Sequence, residues 1–313
     1  MIKRVILGAV LLAAIAGCSA QGEESYHFVK AIGQKGSGPG EFREPIGIAI
    51  DREGFLYVSD AGNHRIQKFS KTGEFIKAWG KKGSREGDLH RPMHLTFGPD
   101  GNLYVAEYLN DRIQVFDKDG NFIRFIGSRP DGESAFDAPG GVAVDSKGFV
   151  YVADFYHHQI QKFDPAGKFL GSLGSPGRIR PGNLHYPTDV EITSDGNLLV
   201  ADAYNNRIQK MTAEGRPLAR WGGLFGLGIP GKGKGSFKVA TGIAQDNEGN
   251  IYVTDFNNHR VQKLSPKSDV IAILKGNGNE SLKYPTDVAV DHEGNVWVVD
   301  FGHNRVVLYA KDK

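Results

Sequence analysis

One unit recurs six times along this chain, and that repeat constrains the fold more than any single motif. The units open at Pro45, Pro92, Pro139, Pro187, Ala240 and Pro285, spaced 47, 47, 48, 53 and 45 residues apart. A unit of that length cannot bury its own apolar face, so it must pack against its neighbours. The first unit reads Pro45-Ile46-Gly47-Ile48-Ala49-Ile50, then Leu56-Tyr57-Val58-Ser59-Asp60, then Arg65-Ile66-Gln67-Lys68-Phe69, then Phe75-Ile76-Lys77-Ala78-Trp79. Four short apolar or alternating runs, separated by turn residues such as Gly54 and Gly73, read as four β-strands. No apolar stripe of helical period follows residue 25, and the 42 glycines suit a chain of tight hairpins. The fold class is all-β.

Four antiparallel strands repeated six times point to a six-bladed β-propeller. The sixth unit lacks a fourth strand after Val306-Val307-Leu308-Tyr309, whereas Tyr26-His27-Phe28-Val29-Lys30-Ala31-Ile32-Gly33 has no unit of its own and matches the fourth strands elsewhere. The N-terminal strand is therefore expected to complete the last blade, close the ring and leave no open edge. Phe28 and Ile32 would each contribute roughly 1.5–3 kcal/mol if fully buried. The recurring Pro-x-x-[Val/Ile]-Ala-[Val/Ile]-Asp, Tyr-Val-x-Asp and Asn-x-Arg-Ile-Gln elements, seen in Asn63-His64-Arg65 and Asn258-His259-Arg260, resemble NHL repeats. The resemblance covers residues 26–313 and implies a six-bladed propeller. No Trp-Asp dipeptide occurs, which argues against WD repeats.

Residues 1–18 read as an export signal. Lys3 and Arg4 precede an apolar run from Val5 to Ala16 that is too short to span a bilayer. The run ends Ile15-Ala16-Gly17-Cys18, which resembles the lipobox of bacterial lipoproteins and marks Cys18 as the lipidated residue. Residues 19–25 form a polar tether spanning roughly 25 Å at most. The expected location is outside the cytoplasm, lipid-anchored: the outer membrane facing the periplasm in a Gram-negative cell, otherwise the cell surface. A single cysteine excludes an internal disulfide framework. The 38 Lys and Arg exceed the 36 Asp and Glu by two, and removal of Lys3 and Arg4 balances them. A neutral chain implies no nucleic-acid partner.

Hairpin order places the loops between second and third strands, and the links between units, on one face, called the top. Eight histidines fall there (His64, His90, His94, His157, His158, His185, His259 and His303), with Tyr108, Phe155, Tyr156, Tyr204, Phe256 and Phe301. An aromatic, imidazole-rich rim suits a planar, sugar-like or peptide ligand. Two residues after each unit-opening residue lie Gly47, His94, Gly141, Asp189, Gly242 and Asp287, expected near the channel mouth. Of these, His94, Asp189 and Asp287 could take a cation. Glu191 stands in a column otherwise filled by alanine or threonine, where burial would raise its pKa. The repeated Asp60, Asp154, Asp202, Asp255 and Asp300, with Glu107, and the repeated arginines read as architecture, since a catalytic site is needed once. The third unit departs, with His157-His158-Gln159.

Candidate ligand-binding residues are thus His94, Tyr108, Phe155, Tyr156, His157, Asp189, Glu191, Tyr204, Phe256 and Asp287, with no catalytic residue assigned. The NHL resemblance implies a monomeric, non-enzymatic module that binds a protein, peptide or glycan on its top face. The runner-up is an enzyme similar to peptide α-amidating lyase or the sugar lactonases, with zinc or calcium in the channel. Against it, the positions that carry the lyase's zinc histidines are here Ile46, Met93, Gly140, Thr188, Thr241 and Thr286. Strict alternation would also turn His94 away from them. No cofactor is otherwise expected.

Overall fold

A computed structural model describes residues 24–127 and 136–312. The expected signal, Cys18 and tether residues 19–23 lie outside the described residues. Six four-stranded antiparallel sheets surround a central channel. Blade one runs outward through Pro45–Ile50, Leu56–Asp60, Arg65–Phe69 and Phe75–Trp79. The first strands of the others, Pro92–Phe97, Pro139–Val144, Pro187–Ile192, Ala240–Gln245 and Pro285–Val290, stand beside it around the channel. Helical structure among the described residues is limited to one-turn 3-10 segments, mostly between second and third strands. None is long and apolar enough to cross a membrane.

Ring closure follows the expected route. Strand Tyr26–Ile32 pairs antiparallel with Arg305–Lys311, with Phe28 opposite Tyr309 and Ile32 opposite Val306. It also reaches the neighbouring blade: the Tyr26 hydroxyl lies 3.1 Å from that of Tyr252, and the Lys263 ammonium donates to Glu24 at 2.7 Å. Phe28 and Ile32 are half-buried rather than fully buried, because the outermost strand has a neighbour on one side only. Each therefore contributes less than full burial would allow.

The core is divided among the seams. Six apolar clusters each join two adjacent blades, as where Trp297 and Val299 of blade six meet Leu56, Val58 and Phe69 of blade one. Three residues before each blade opens, Phe42, Leu89, Phe136, Leu184, Phe237 and Leu282 are buried as wedges at the seams. Cohesion therefore depends on every neighbour being present, which is why a split blade must be closed by its own missing strand.

Every first strand loses register with the second just after its opening residue, as between Pro187 and Asp189 or Pro92 and Leu95. Such a bulge breaks the two-residue alternation of side chains. It re-aims two consecutive residues of each blade into the channel, and this positions the site.

Candidate functional site

The bulge corrects one expectation directly. Met93 and His94 do not point to opposite sides; both line the upper cavity. That cavity, of about 390 Å³, has as its floor the residues directly after the blade-opening position: Ile46, Met93, Gly140, Thr188, Thr241 and Thr286. Its walls are Tyr108, Phe155, Tyr204, Phe256 and Phe301, contributed by five blades. The rings form linked pairs, with Phe155 edge-on to Tyr204 at 6.2 Å and Phe256 at 6.3 Å from Phe301.

Behind the walls a second layer braces the rings. Tyr186 sits 4.8 Å from Phe155, and Tyr284 sits 5.0 Å from Phe256. Tyr156 is outside the lining, but its hydroxyl accepts a hydrogen bond from Tyr108 at 3.0 Å. Burial first, then that bond, push the Tyr108 phenol up to about 12. The floor hydroxyls are spoken for: Thr188 donates to the Thr241 carbonyl at 2.9 Å and Thr286 to the Ile46 carbonyl at 2.7 Å.

One residue further along, His94, Asp189 and Asp287 converge on the axis, from blades two, four and six. All three are buried, and their ligand atoms lie within 4.8 Å of one another. His94 Nδ1 is 3.3 Å from Asp287 Oδ2 and 3.7 Å from Asp189 Oδ2. Burial alone would push the imidazole down, but the Asp189 and Asp287 carboxylates outweigh it and lift His94 to about 9. Burial raises Asp189, the charge of Asp287 adds to that, and His94 opposes both. Below them a second cavity of about 210 Å³ continues the channel, lined by Glu191, Asp189 and Asp287 among aliphatic side chains. Enclosure in this channel, then the negative charge of Asp189 and Asp287, raise Glu191 to about 8.

The carboxylate column is architectural. Asp202 Oδ1 accepts the His185 backbone N–H at 2.7 Å, while its Oδ2 accepts from Asn205, Arg207 and Gln209 at 2.8, 2.7 and 2.9 Å. Asp60, Glu107 and Asp255 repeat this hub. His157 belongs to it as well: its Nδ1 lies 2.6 Å from Asp154 Oδ2, where other blades place asparagine, so it is not part of the funnel. His303 does the same for Asp300 at 2.8 Å.

The longest link between blades, from Gly222 to Val239, exposes a run of apolar residues. Leu224, Phe225, Leu227 and Ile229, in the long link after blade four, and Ile179 before it are all exposed, Phe225 by 83%. The Asn206 side-chain amide donates to the Gly228 carbonyl at 3.5 Å. Arg178, Arg180, Lys232, Lys234 and Lys238 are exposed in the same two links, which carry no carboxylate.

Comparison with known proteins fits the repeat. The NHL repeat family matches residues 42–69, 136–163, 184–211, 237–264 and 282–309. Among curated proteins, human E3 ubiquitin-protein ligase TRIM32 is 44% identical over 46 residues, 15% of this chain and 7% of that protein. Mouse E3 ubiquitin-protein ligase TRIM71 is 42% identical over 43 residues, 14% and 5% of the two chains. These matches span under a tenth of the curated relatives' length. Among solved structures, a catalytically inactive virginiamycin B lyase from Staphylococcus aureus with quinupristin superposes with a TM-score of 0.60 at 16% identity, covering 92% of this chain and 88% of that one. An auxiliary nutrient binding protein from Bacteroides thetaiotaomicron superposes at 0.66 and 12% identity, covering 87% and 70%. At such identities the likeness is one of fold. Repeat signature, blade count and ring closure agree: the chain is a six-bladed β-propeller with NHL repeats in five of its blades.

Proposed function

We propose that this propeller is a non-enzymatic binding module, exported and lipid-anchored through Cys18, that takes a peptide, glycan or protein segment on its top face. One observation carries the reading: five aromatic rings from five blades surround a cavity of about 390 Å³. Concave, mainly apolar walls with a few oriented polar groups are the usual form of a ligand site. The exposed apolar residues from Leu224 to Ile229, in a link that also exposes Lys232 and Lys238 and carries no carboxylate, favour a ligand that combines apolar and acidic groups.

The described chain begins at Glu24, on the bottom face beside Lys263 and the Asp246 hairpin. A short lipid tether attached there would hold the bottom toward the membrane. The funnel would then face away from it, open to a periplasmic or extracellular ligand.

A second reading is kept because His94, Asp189 and Asp287 meet in the channel. It is an enzyme of lyase type, and the fold is shared both with virginiamycin B lyase and with a nutrient binding protein. The test screens peptide and glycan libraries against the purified protein, then measures the hits with Tyr204→Ala and Phe256→Ala variants. A binding module gives hits weakened at least about tenfold in either variant, since a buried aromatic anchor is worth 1 kcal/mol or more, and returns the ligand intact by mass spectrometry. Cleaved ligand establishes the enzyme reading, and hits indifferent to both variants remove the funnel as the site.

A further inference from the structure

We infer that His94, Asp189 and Asp287 form a binding site for one divalent transition-metal ion, of the zinc or manganese class, at the waist of the channel. The inference is independent of what occupies the funnel above.

The separations are informative. His94 Nδ1 stands 3.3 Å from one carboxylate oxygen and 3.7 Å from the other, and the imidazole nitrogen, fully enclosed, has no hydrogen-bond partner. These distances are long for hydrogen bonds between charged groups. They come close to the edges of a coordination polyhedron: with metal–ligand bonds of about 2.0–2.2 Å, adjacent ligands lie roughly 3.0–3.6 Å apart, a range that holds the first separation and falls just short of the second. A buried polar atom without a partner is costly, and an ion between the three groups satisfies all of them at once.

The surroundings are built for convergence. Asp189 Oδ2 accepts the Ile243 backbone N–H at 2.9 Å and Asp287 Oδ2 that of Ile48 at 2.8 Å, so each carboxylate is aimed by the next blade. Orientation of this kind is what outer-shell partners provide at metal centres. Ligand-bearing blades alternate with blades that carry glycine at the same position. A Cβ on Gly141 would come within 2.5 Å of Asp189 Oδ1, and one on Gly242 within 2.5 Å of Asp287 Oδ1. Only alternate blades can therefore contribute a side chain, and three side chains are what the waist holds.

The donor set narrows the ion. An imidazole with two carboxylates suits zinc, manganese or iron(II), whereas calcium prefers six to eight oxygens. Two carboxylates balance a divalent charge, and the His94 imidazole gives up its proton to solvent as the ion binds. Three protein ligands leave positions open to water from the lower cavity.

The test strips the purified protein with a chelator and titrates it calorimetrically with zinc and with manganese. The expected result is one ion per chain, bound in the micromolar range or tighter, with affinity falling at least about 100-fold in His94→Gln, Asp189→Asn and Asp287→Asn. Near-ultraviolet circular dichroism checks that the variants are folded. Because a variant can still fail to fold, cobalt(II) is added to the wild-type protein. Intense visible d–d bands of a low-symmetry site with nitrogen and oxygen ligands are expected. No stoichiometric binding of either ion, binding that survives all three folded variants, or the weak spectrum of aqueous cobalt would each overturn the inference.

Discussion

Nδ1 of His158 accepts the backbone N–H of Tyr186 at 3.0 Å, across the seam between blades three and four. Every seam has such a staple. His64 accepts from Arg91, Asp111 from Ala138, Asn206 from Val239, His259 from Tyr284, and Asn304 from Glu44, all at 2.8–3.1 Å. Acceptor and donor residues both have positive φ, 57° at His158 and 53° at Tyr186. At three of the six seams the acceptor is an imidazole, which must be neutral at Nδ1 to accept.

Acidification should therefore loosen the two seams stapled by His64 and His158. Burial foremost, then His90, Lys82 and Arg91, depress His64; burial and His157 depress His158 against the pull of Asp154 and Asp202. A depressed histidine leaves the unfolded chain binding more protons, so stability is complete above the unfolded value of 6.5 and is lost as pH falls through the folded one. The melting temperature should fall from about pH 7.5 to about pH 5, with each staple contributing on the order of 1 kcal/mol. A double variant, His64→Asn and His158→Asn, installs the acceptor that blades four and six use. Its melting temperature should be flatter over that range; an unchanged slope would place the pH dependence elsewhere.

These staples also mark where the sequence stops being legible. Blade count, strand order and closure could be read because period, turn glycines and the unpaired strand at Tyr26 are written in residue types. The left-handed donor positions at the seams hold Glu44, Arg91, Ala138, Tyr186, Val239 and Tyr284, none of them glycine or asparagine, so nothing in their identities announces the conformation. The meeting of His94 with Asp189 and Asp287 was legible as a shared column. That Met93 and His94 both face the channel was not, since it depends on a bulge that alternation does not foresee. His157 looked functional because it broke a pattern, yet it makes the same bond to its carboxylate that asparagine makes elsewhere.

The carboxylate hubs should respond sharply to truncation. Arg207 is fully buried, and its Nη1 already lacks a partner, so it depends on Asp202 for its charge. Asp202→Ala leaves that guanidinium uncompensated and should cost about 3–5 kcal/mol. Urea unfolding monitored by the buried tryptophans measures it. Arg112→Ala takes the guanidinium from a fully buried Glu107 and should also be strongly destabilising.

Removing the closing strand should be costlier than its half-buried side chains imply. Deletion of residues 24–33 uncovers Tyr309 and Val307, frees the edge of Arg305–Lys311, and strips Lys263 of Glu24 and Tyr26. A loss of at least about 3 kcal/mol should lower the melting temperature by roughly 10 °C, and the bare edge should drive concentration-dependent association visible in light scattering. A deletion that melts with the parent and stays monomeric would contradict the closure.

The alternation of glycine with large side chains at the channel waist gives a prediction of its own. A methyl group on Gly141 would lie 2.5 Å from Asp189 Oδ1 and 2.7 Å from Asp189 Cα. The carboxylate can rotate, but the backbone beside it cannot yield without parting the first strands of blades three and four. Gly141→Ala should therefore cost about 1–3 kcal/mol by overpacking, and Gly242→Ala the same against Asp287, where Cα is also 2.7 Å away. Gly233→Ala is the control: in the long link after blade four its methyl meets only Ser236 Oγ, at 4.0 Å. That change should stay within about 0.5 kcal/mol of the parent. Thermal melts of the three variants side by side decide it, because equal melting temperatures would mean that the waist has room to spare and that glycine there is not what lets alternate blades converge.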